Sequence, residues 1–336
     1  MPQGNMVWDV SDTPNLSEHA SANFQGGDFK NEVRNYSKWL NYREEIAQVE
    51  FEPSFAQARP KSCASWFERC INLTQITGLE YLNTSEVKSM LFMFRECAGL
   101  TGIDLSHFNT GNVTNMFGMF FLCENISSLD VSHLNTEKVT NMSSMFYGCS
   151  QLRTLDVSSF NTSAVIDFGG MFMGCSALQE LDMSKFDMSN VQFISDMFAY
   201  CTGLRTLNLK NFILSSRQEE LGNDKLVDVS RVFFGCSNLT TIYCNDSWPS
   251  NWMIATFDGC TRLQGAIAYD SSKTGAEYAN PLTGYFTATG EGDVTGIKNV
   301  VSELATDTWY DLQGRNVQHP QKGKIYIRQG KKVLVK

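Results

Sequence analysis

The stretch NMSSMFYGCSQLRTLDVSSFNT, Asn141 to Thr162, decides the fold, because its pattern recurs on both sides. Its Phe146 and Cys149 form an FxxC pair, repeated at Phe67/Cys70, Phe94/Cys97, Phe120/Cys123, Phe172/Cys175, Phe198/Cys201, Phe233/Cys236 and Phe257/Cys260. Successive cysteines of these pairs lie 27, 26, 26, 26, 26, 35 and 24 residues apart. A period of that length marks stacked units, each of which buries its apolar side only against its neighbours.

Two apolar periods alternate within a unit. Val139, Met142, Met145, Phe146 and Cys149 fall on one stripe at i, i+3, i+6, i+7 and i+10, which predicts a short helix. Leu155 and Val157, two apart after Leu152, have strand spacing. The strand pattern continues through Ile46/Val49/Phe51, Leu73/Ile76, Leu100/Ile103/Leu105, Ile126/Leu129/Val131, Leu178/Leu181/Met183, Leu204/Leu207/Leu209, Leu239/Ile242/Cys244 and Leu263/Ala266/Ala268. The expectation is an α/β solenoid over residues 46–287, with about nine parallel strands on one face and eight FxxC helical halves on the other. At roughly 4.8 Å per strand it would be about 38 Å long.

Register also places the cysteines. Eight hold the FxxC position, Cys63 aligns with Met116 and Met142, and Cys244 takes the strand position of Leu105 or Val157. All ten map inward, as buried free thiols; the other reading is an occasional disulfide between neighbouring turns, which stacked parallel Cβ vectors disfavour. No Cys or His recurs at zinc-ligand spacing. Met90, Met93, Met116, Met119, Met142, Met145, Met171, Met173 and Met197 mostly share the core stripe.

Solenoid ends need covers. Residues 1–45, with Trp8, Phe24, Phe29, Trp39 and Tyr42, are read as the N-terminal cap. The last turn degenerates, with Ser250 and Thr256 at helix positions and Trp248 and Trp252 nearby, and reads as a looser C-terminal cap. The long repeat carries its extra length in SSRQEELGNDK, residues 215–225, either a tolerated loop or a specific contact. Residues 288–293, ATGEGD, read as a linker, and 294–336 as three or four short strands in a β-hairpin module.

The composition is 42% hydrophobic and 19% charged, so the chain folds. Its net charge of -9 argues against a nucleic-acid partner. The tail is the basic exception, with eight Lys and Arg against three acids in 294–336. No run of 18 apolar residues suggests membrane insertion, and MPQGNMVWDV lacks the basic and apolar regions of a signal peptide.

Units that end in MFYGC and continue LRTLDVSSFNT resemble the BspA-like leucine-rich-repeat proteins of bacterial surfaces, in their variant with repeats of about 26 residues. The flanking VEFEPSFAQARP, TTIYCNDSW and AYDSSKTGAEYA are similar to segments of such proteins from Bacteroidetes-type bacteria, and WYDLQGRNV with GKIYIRQGKKVLVK resembles short C-terminal modules of their exported proteins. The resemblance implies a leucine-rich-repeat solenoid, a cell-surface or secreted location and a role in adhesion or macromolecular binding. It carries over no common ligand, cofactor or catalytic residue.

On the strand face Asp104, Asp130, Asp156 and Asp182 stack on consecutive turns about 5 Å apart, where each pair costs on the order of 0.8 kcal/mol in water. Either they hydrogen-bond with serines between turns as part of the scaffold, or they bind a cation such as Ca²⁺. Positions that vary between repeats set specificity: Gly102, Ser128, Thr154, Glu180 and Thr206 on one row, His107, His133, Ser159, Lys185 and Asn211 at the rim. His107 and His133 are adjacent, as rim residues or as two ligands of a metal that lacks a third. Catalytic motifs are missing. The expectation is a non-enzymatic binding protein whose acidic, hydroxyl-rich face meets an extracellular protein or glycan. A glycan-capture protein is the second reading, a hydrolase the third.

Overall fold

The computed structural model describes residues 4–8, 42–215, 227–248, 255–289, 309–310, 325–328 and 331–334. Most of the N-terminal cap and linker, and nearly all of the 215–225 insertion, lie outside them. The chain divides into two compact units, Met1–Thr287 and Ala288–Lys336. In the second, β8 (Trp309–Tyr310), β9 (Ile325–Arg328) and β10 (Lys331–Leu334) form an antiparallel sheet in the order β10-β9-β8.

The first unit is a stack of coils. The FxxC phenylalanines form one column of parallel rings: Phe67, Phe94, Phe120, Phe146, Phe172, Phe198, Phe233 and Phe257 follow at centroid spacings of 5.3 to 5.8 Å, with interplanar angles of 1° to 16°. The rings are all but fully buried. Beside them the thiol of each FxxC cysteine from Cys97 onward donates to the carbonyl of the preceding coil's phenylalanine, as Cys123 does to Phe94 at 2.9 Å and Cys175 to Phe146 at 3.1 Å. All ten cysteines are free and buried, and burial pushes the Cys123, Cys201 and Cys260 thiols up to about 12.

The FxxC halves are not helical. Counting from the phenylalanine F, residues F-4, F-2, F and F+2 donate their N–H groups to carbonyls of the next coil. Met90, Phe92, Phe94 and Glu96 reach Asn115, Phe117, Met119 and Phe121 at 2.7 to 2.9 Å. The residues between close three-residue turns on their own coil, as Met93 does on Met90, Arg95 on Phe92 and Cys97 on Phe94. Positions F-2 and F+2 have positive φ in every coil, from Ser65 and Arg69 to Ala255 and Gly259. Such tight turns point F-4, F-1, F and F+3 inward, the same i, i+3, i+4, i+7 spacing that an amphipathic helix produces. That coincidence explains the helix expectation. The left-handed residues cost roughly 1 kcal/mol each unless glycine, and the hydrogen bonds to the next coil offset that.

The strand face is also less continuous than its pattern suggests. β2 (Ile46–Phe51) pairs in parallel with β1 (Gly4–Trp8) and β3 (Gln75–Thr77). β4 (Glu180–Asp182), β5 (Thr206–Asn208), β6 (Thr241–Tyr243) and β7 (Phe286–Thr287) form a second parallel sheet. Between the two sheets the row keeps one isolated bridge, Ser128 to Thr154. The unbroken ladder runs instead along F-5: Ser62, Ser89, Asn115, Asn141, Asp167, Phe193 and Asp228 are joined by parallel bridges. A third ladder follows the FNT threonines, which are nearly fully buried. Thr84, Thr110, Thr136 and Thr162 donate to the carbonyls of Asn109, Asn135, Asn161 and Asp187 on the next coil at 2.8 to 3.1 Å.

The C-terminal cap departs from expectation. Ala266 and Ala268 face solvent, and Gln264 and Ala268 form an antiparallel bridge. Their place beside β6 is taken by β7, which brings Phe286 and its buried neighbour Tyr285 under the last coil. Phe257 therefore lies 5.3 Å from Phe233, 4.9 Å from Tyr285 and 6.1 Å from Phe286. Phe257 is as fully buried as Phe146.

Phe146→Ala should destabilise by about 3–5 kcal/mol as a buried aromatic deletion. Phe257→Ala should cost a comparable amount, because cap rings replace the missing coil; a loss under half as large in urea melts would contradict this packing. The thiols yield a second expectation. In native protein all ten should resist iodoacetamide, and in denaturant without reductant the intact mass should show ten adducts; fewer would reveal a disulfide.

Candidate functional site

Asp104, Asp130, Asp156 and Asp182 are exposed at the corner that ends the strand row. Each closes a turn on its own coil. Oδ1 accepts the N–H two residues on, from Ser106, Ser132, Ser158 and Ser184 at 2.8 to 2.9 Å. The hydrogen bonds expected between turns are thus within turns. A carboxylate two residues before a tight corner satisfies a backbone donor of that corner, in the bridged coils and the unbridged ones alike. Asn208 makes the same bond to Lys210 at 3.2 Å, so the corner needs an acceptor and not a charge. Hydrogen bonds from Ser106 hold Asp104 below the usual carboxylate range, and those from Ser132 and Ser158 do the same for Asp130 and Asp156. Repulsion between neighbours, Asp104 on Asp130 and Asp130 on Asp156, opposes this more weakly.

Thr154 and Glu180 are exposed on the same face, Glu180 registered against Thr206 in β5. His107, His133 and Lys185 are exposed at the rim. The His133 Nε2 lies 4.0 Å from the Asp130 Oδ2, and both histidines act on Asp104. Asp104, Asp130, His107 and His133 therefore form one neighbourhood, with Lys185 two coils further on. Among the described residues no three His, Cys, Asp or Glu side chains come together as metal ligands. No helix among them is long and apolar enough to cross a membrane.

A second face went unread in the sequence because the helix assignment hid it. The two left-handed columns and their neighbours face outward, and near the N-terminal end they carry aromatic rings. Phe121 and Tyr147 stack at 4.4 Å, Phe92 and Phe117 lie at 4.8 Å, and the Arg95 guanidinium sits 4.8 Å and 5.4 Å from the Phe92 and Phe121 ring centres. Arg95 also pairs with the nearly buried Glu68 at 2.8 Å and with Glu96 at 2.7 Å. Toward the C-terminal end Arg231 lies 4.0 Å over Phe234 and bonds Asp196 at 2.8 Å, with Tyr200 at 5.3 Å from Phe234. The available signal was glycine at F+2 in four of eight coils, Gly148, Gly174, Gly235 and Gly259, which a helix interior disfavours and a left-handed residue requires.

The family described as "Mycoplasma protein of unknown function, DUF285" matches residues 60–128 and 119–221. The chain resembles BspA-like leucine-rich-repeat surface proteins. Solved structures similar to it include a leucine-rich cell surface protein of Faecalibacterium prausnitzii, at 15% identity over 75% of this chain and 85% of that one, with a TM-score of 0.27. A leucine-rich-repeat protein of Eubacterium ventriosum has 15% identity over 76% and 88%, TM-score 0.28. One of Bacteroides ovatus has 15% identity over 74% and 85%, TM-score 0.22. Curated proteins yield no match.

One carboxylate departs from its ladder. Asp167 holds the F-5 place of Asn115 and Asn141, accepting the Gly169 N–H at 2.7 Å, and burial pushes its carboxyl up. Folding then favours the protonated form, so stability falls as pH rises through the carboxylate range. Asp167→Asn, which keeps the acceptor, should be more stable than the parent at pH 7, and the gap should close below about pH 4. Coincident urea melts at pH 7 would contradict the burial.

Proposed function

We propose that the protein is a leucine-rich-repeat solenoid of the cell exterior that binds a cationic extracellular macromolecule along the row Asp104, Asp130, Asp156 and Asp182. The observation that carries this is the fixation of the exposed carboxylates by turns of their own coil, with three of the four held below the usual range. A preorganised line of charge loses little freedom when a partner arrives. Thr154, Glu180, His107, His133 and Lys185 would tune the choice of partner, since they vary where the scaffold repeats. The role proposed is binding, because the four carboxylates make the same turn on consecutive coils and offer a partner a repeated line of charge. Its resemblance to bacterial surface proteins supports the location.

Capture on a poly-lysine surface should weaken as salt rises from 50 to 300 mM. Replacing Asp130, Asp156 and Asp182 together by Asn keeps every turn acceptor, as Asn208 does naturally, so the fold should survive while capture falls about tenfold or more. Unchanged capture by a folded triple variant would remove the acidic row from the binding surface.

A further inference from the structure

From the opposite side of the coil we infer a second site: Tyr200, Phe234, Arg231 and Asp196 form a preset platform for a neutral sugar ring. Tyr200 is 43% exposed. It occupies F+2 with φ of 60°, a left-handed position that glycine fills in the two coils before it and the two after. A tyrosine held there bears backbone strain that the fold does not need.

Its ring is fixed nonetheless. A Cβ at Gly235 would come within 3.0 Å of the Tyr200 Cδ1, so the ring leans on the bare backbone of the next coil. Phe234 meets it edge-on at 5.3 Å and 74°. The Arg231 guanidinium lies 4.0 Å from the Phe234 ring centre, with its Nε hydrogen-bonded to Asp196 at 2.8 Å. Arg231 and Asp196 are themselves left-handed residues of the F-2 column, at 56°. Strain, an exposed rigid ring and a fixed guanidinium–carboxylate pair converge on one spot.

The chemistry selects the ligand. A flat ring takes the C–H face of a pyranose, whose hydrogens meet the negative face of the π system. An adjoining carboxylate and guanidinium offer the acceptors and donors that neighbouring hydroxyls require. The glycines at 174, 235 and 259 leave the columns around the ring without side chains, so a sugar can lie flat. A peptide anchor would want a wider apolar patch than two rings with an ion pair between them. The matching cluster around Arg95 is a weaker candidate, because Glu68 and Glu96 both engage its guanidinium.

The test uses the full chain on an array of neutral oligosaccharides of mannose, galactose, glucose, xylose and N-acetylglucosamine. Wild type should be retained by at least one class, insensitive to salt. Tyr200→Gly places in this coil the residue its column already holds, so the melting temperature should stay or rise, while affinity falls about tenfold. Tyr200→Phe should keep most of the binding and Asp196→Asn should weaken it. The Asp130, Asp156 and Asp182 triple variant should bind the sugar as wild type does, which separates this site from the acidic row. No retained glycan, equal binding by Tyr200→Gly, or capture of a peptide alone would overturn the proposal.

Discussion

Half of the backbone N–H groups in the FxxC turns from Phe67 to Phe198 are satisfied only by the next coil. Residues F-4, F-2, F and F+2 point their donors along the stack, while those between close turns within the coil. No single coil meets its hydrogen-bond requirement alone, and an unpaired buried amide costs about 1–3 kcal/mol. The phenylalanine column, the thiol ladder and the threonine ladder all share this axis. They reinforce a contact that the backbone already demands, which is why one 26-residue pattern can be written over and over with little change.

The same constraint sets what varies. Inward positions F-4, F-1, F and F+3 are filled to a fixed spacing of about one coil rise, so substitutions there change volume against neighbours on both sides. Positions F-3, F-2, F+1 and F+2 lie outside the phenylalanine and cysteine columns, and the chain uses them differently along its length: rings and an arginine near residues 92–147, bare glycine at 148 and 174, then Tyr200, Arg231 and Phe234. Left-handed residues that are not glycine stand out there, because each is retained against a backbone preference.

Ten free thiols are unusual for a protein proposed to work outside the cell, where disulfides are the common staple. Burial resolves the conflict. Each FxxC thiol from Cys97 onward spends its weak donor on a phenylalanine carbonyl, and desolvation raises its pKa far from the thiolate that oxidation and exchange require. Stability comes from the ladders, and crosslinks are not needed.

By itself the sequence determined the repeat, its period, the inward register of Phe146 and Cys149 and their equivalents, and the exposed row of aspartates, because burial repeats with chain position and leaves a periodic trace. It did not determine the secondary structure of the FxxC half: tight turns and an α-helix place apolar residues at the same spacing, and only the destination of the N–H groups separates them. Nor did it place the last strand, since Ala266 and Ala268 keep the pattern while Tyr285 and Phe286, from twenty residues later, fill the core. Which outward residues meet was likewise left to tertiary structure. Tyr200 and Arg231 lie 31 positions apart, and only the stacking of one coil on the next brings phenol and guanidinium together.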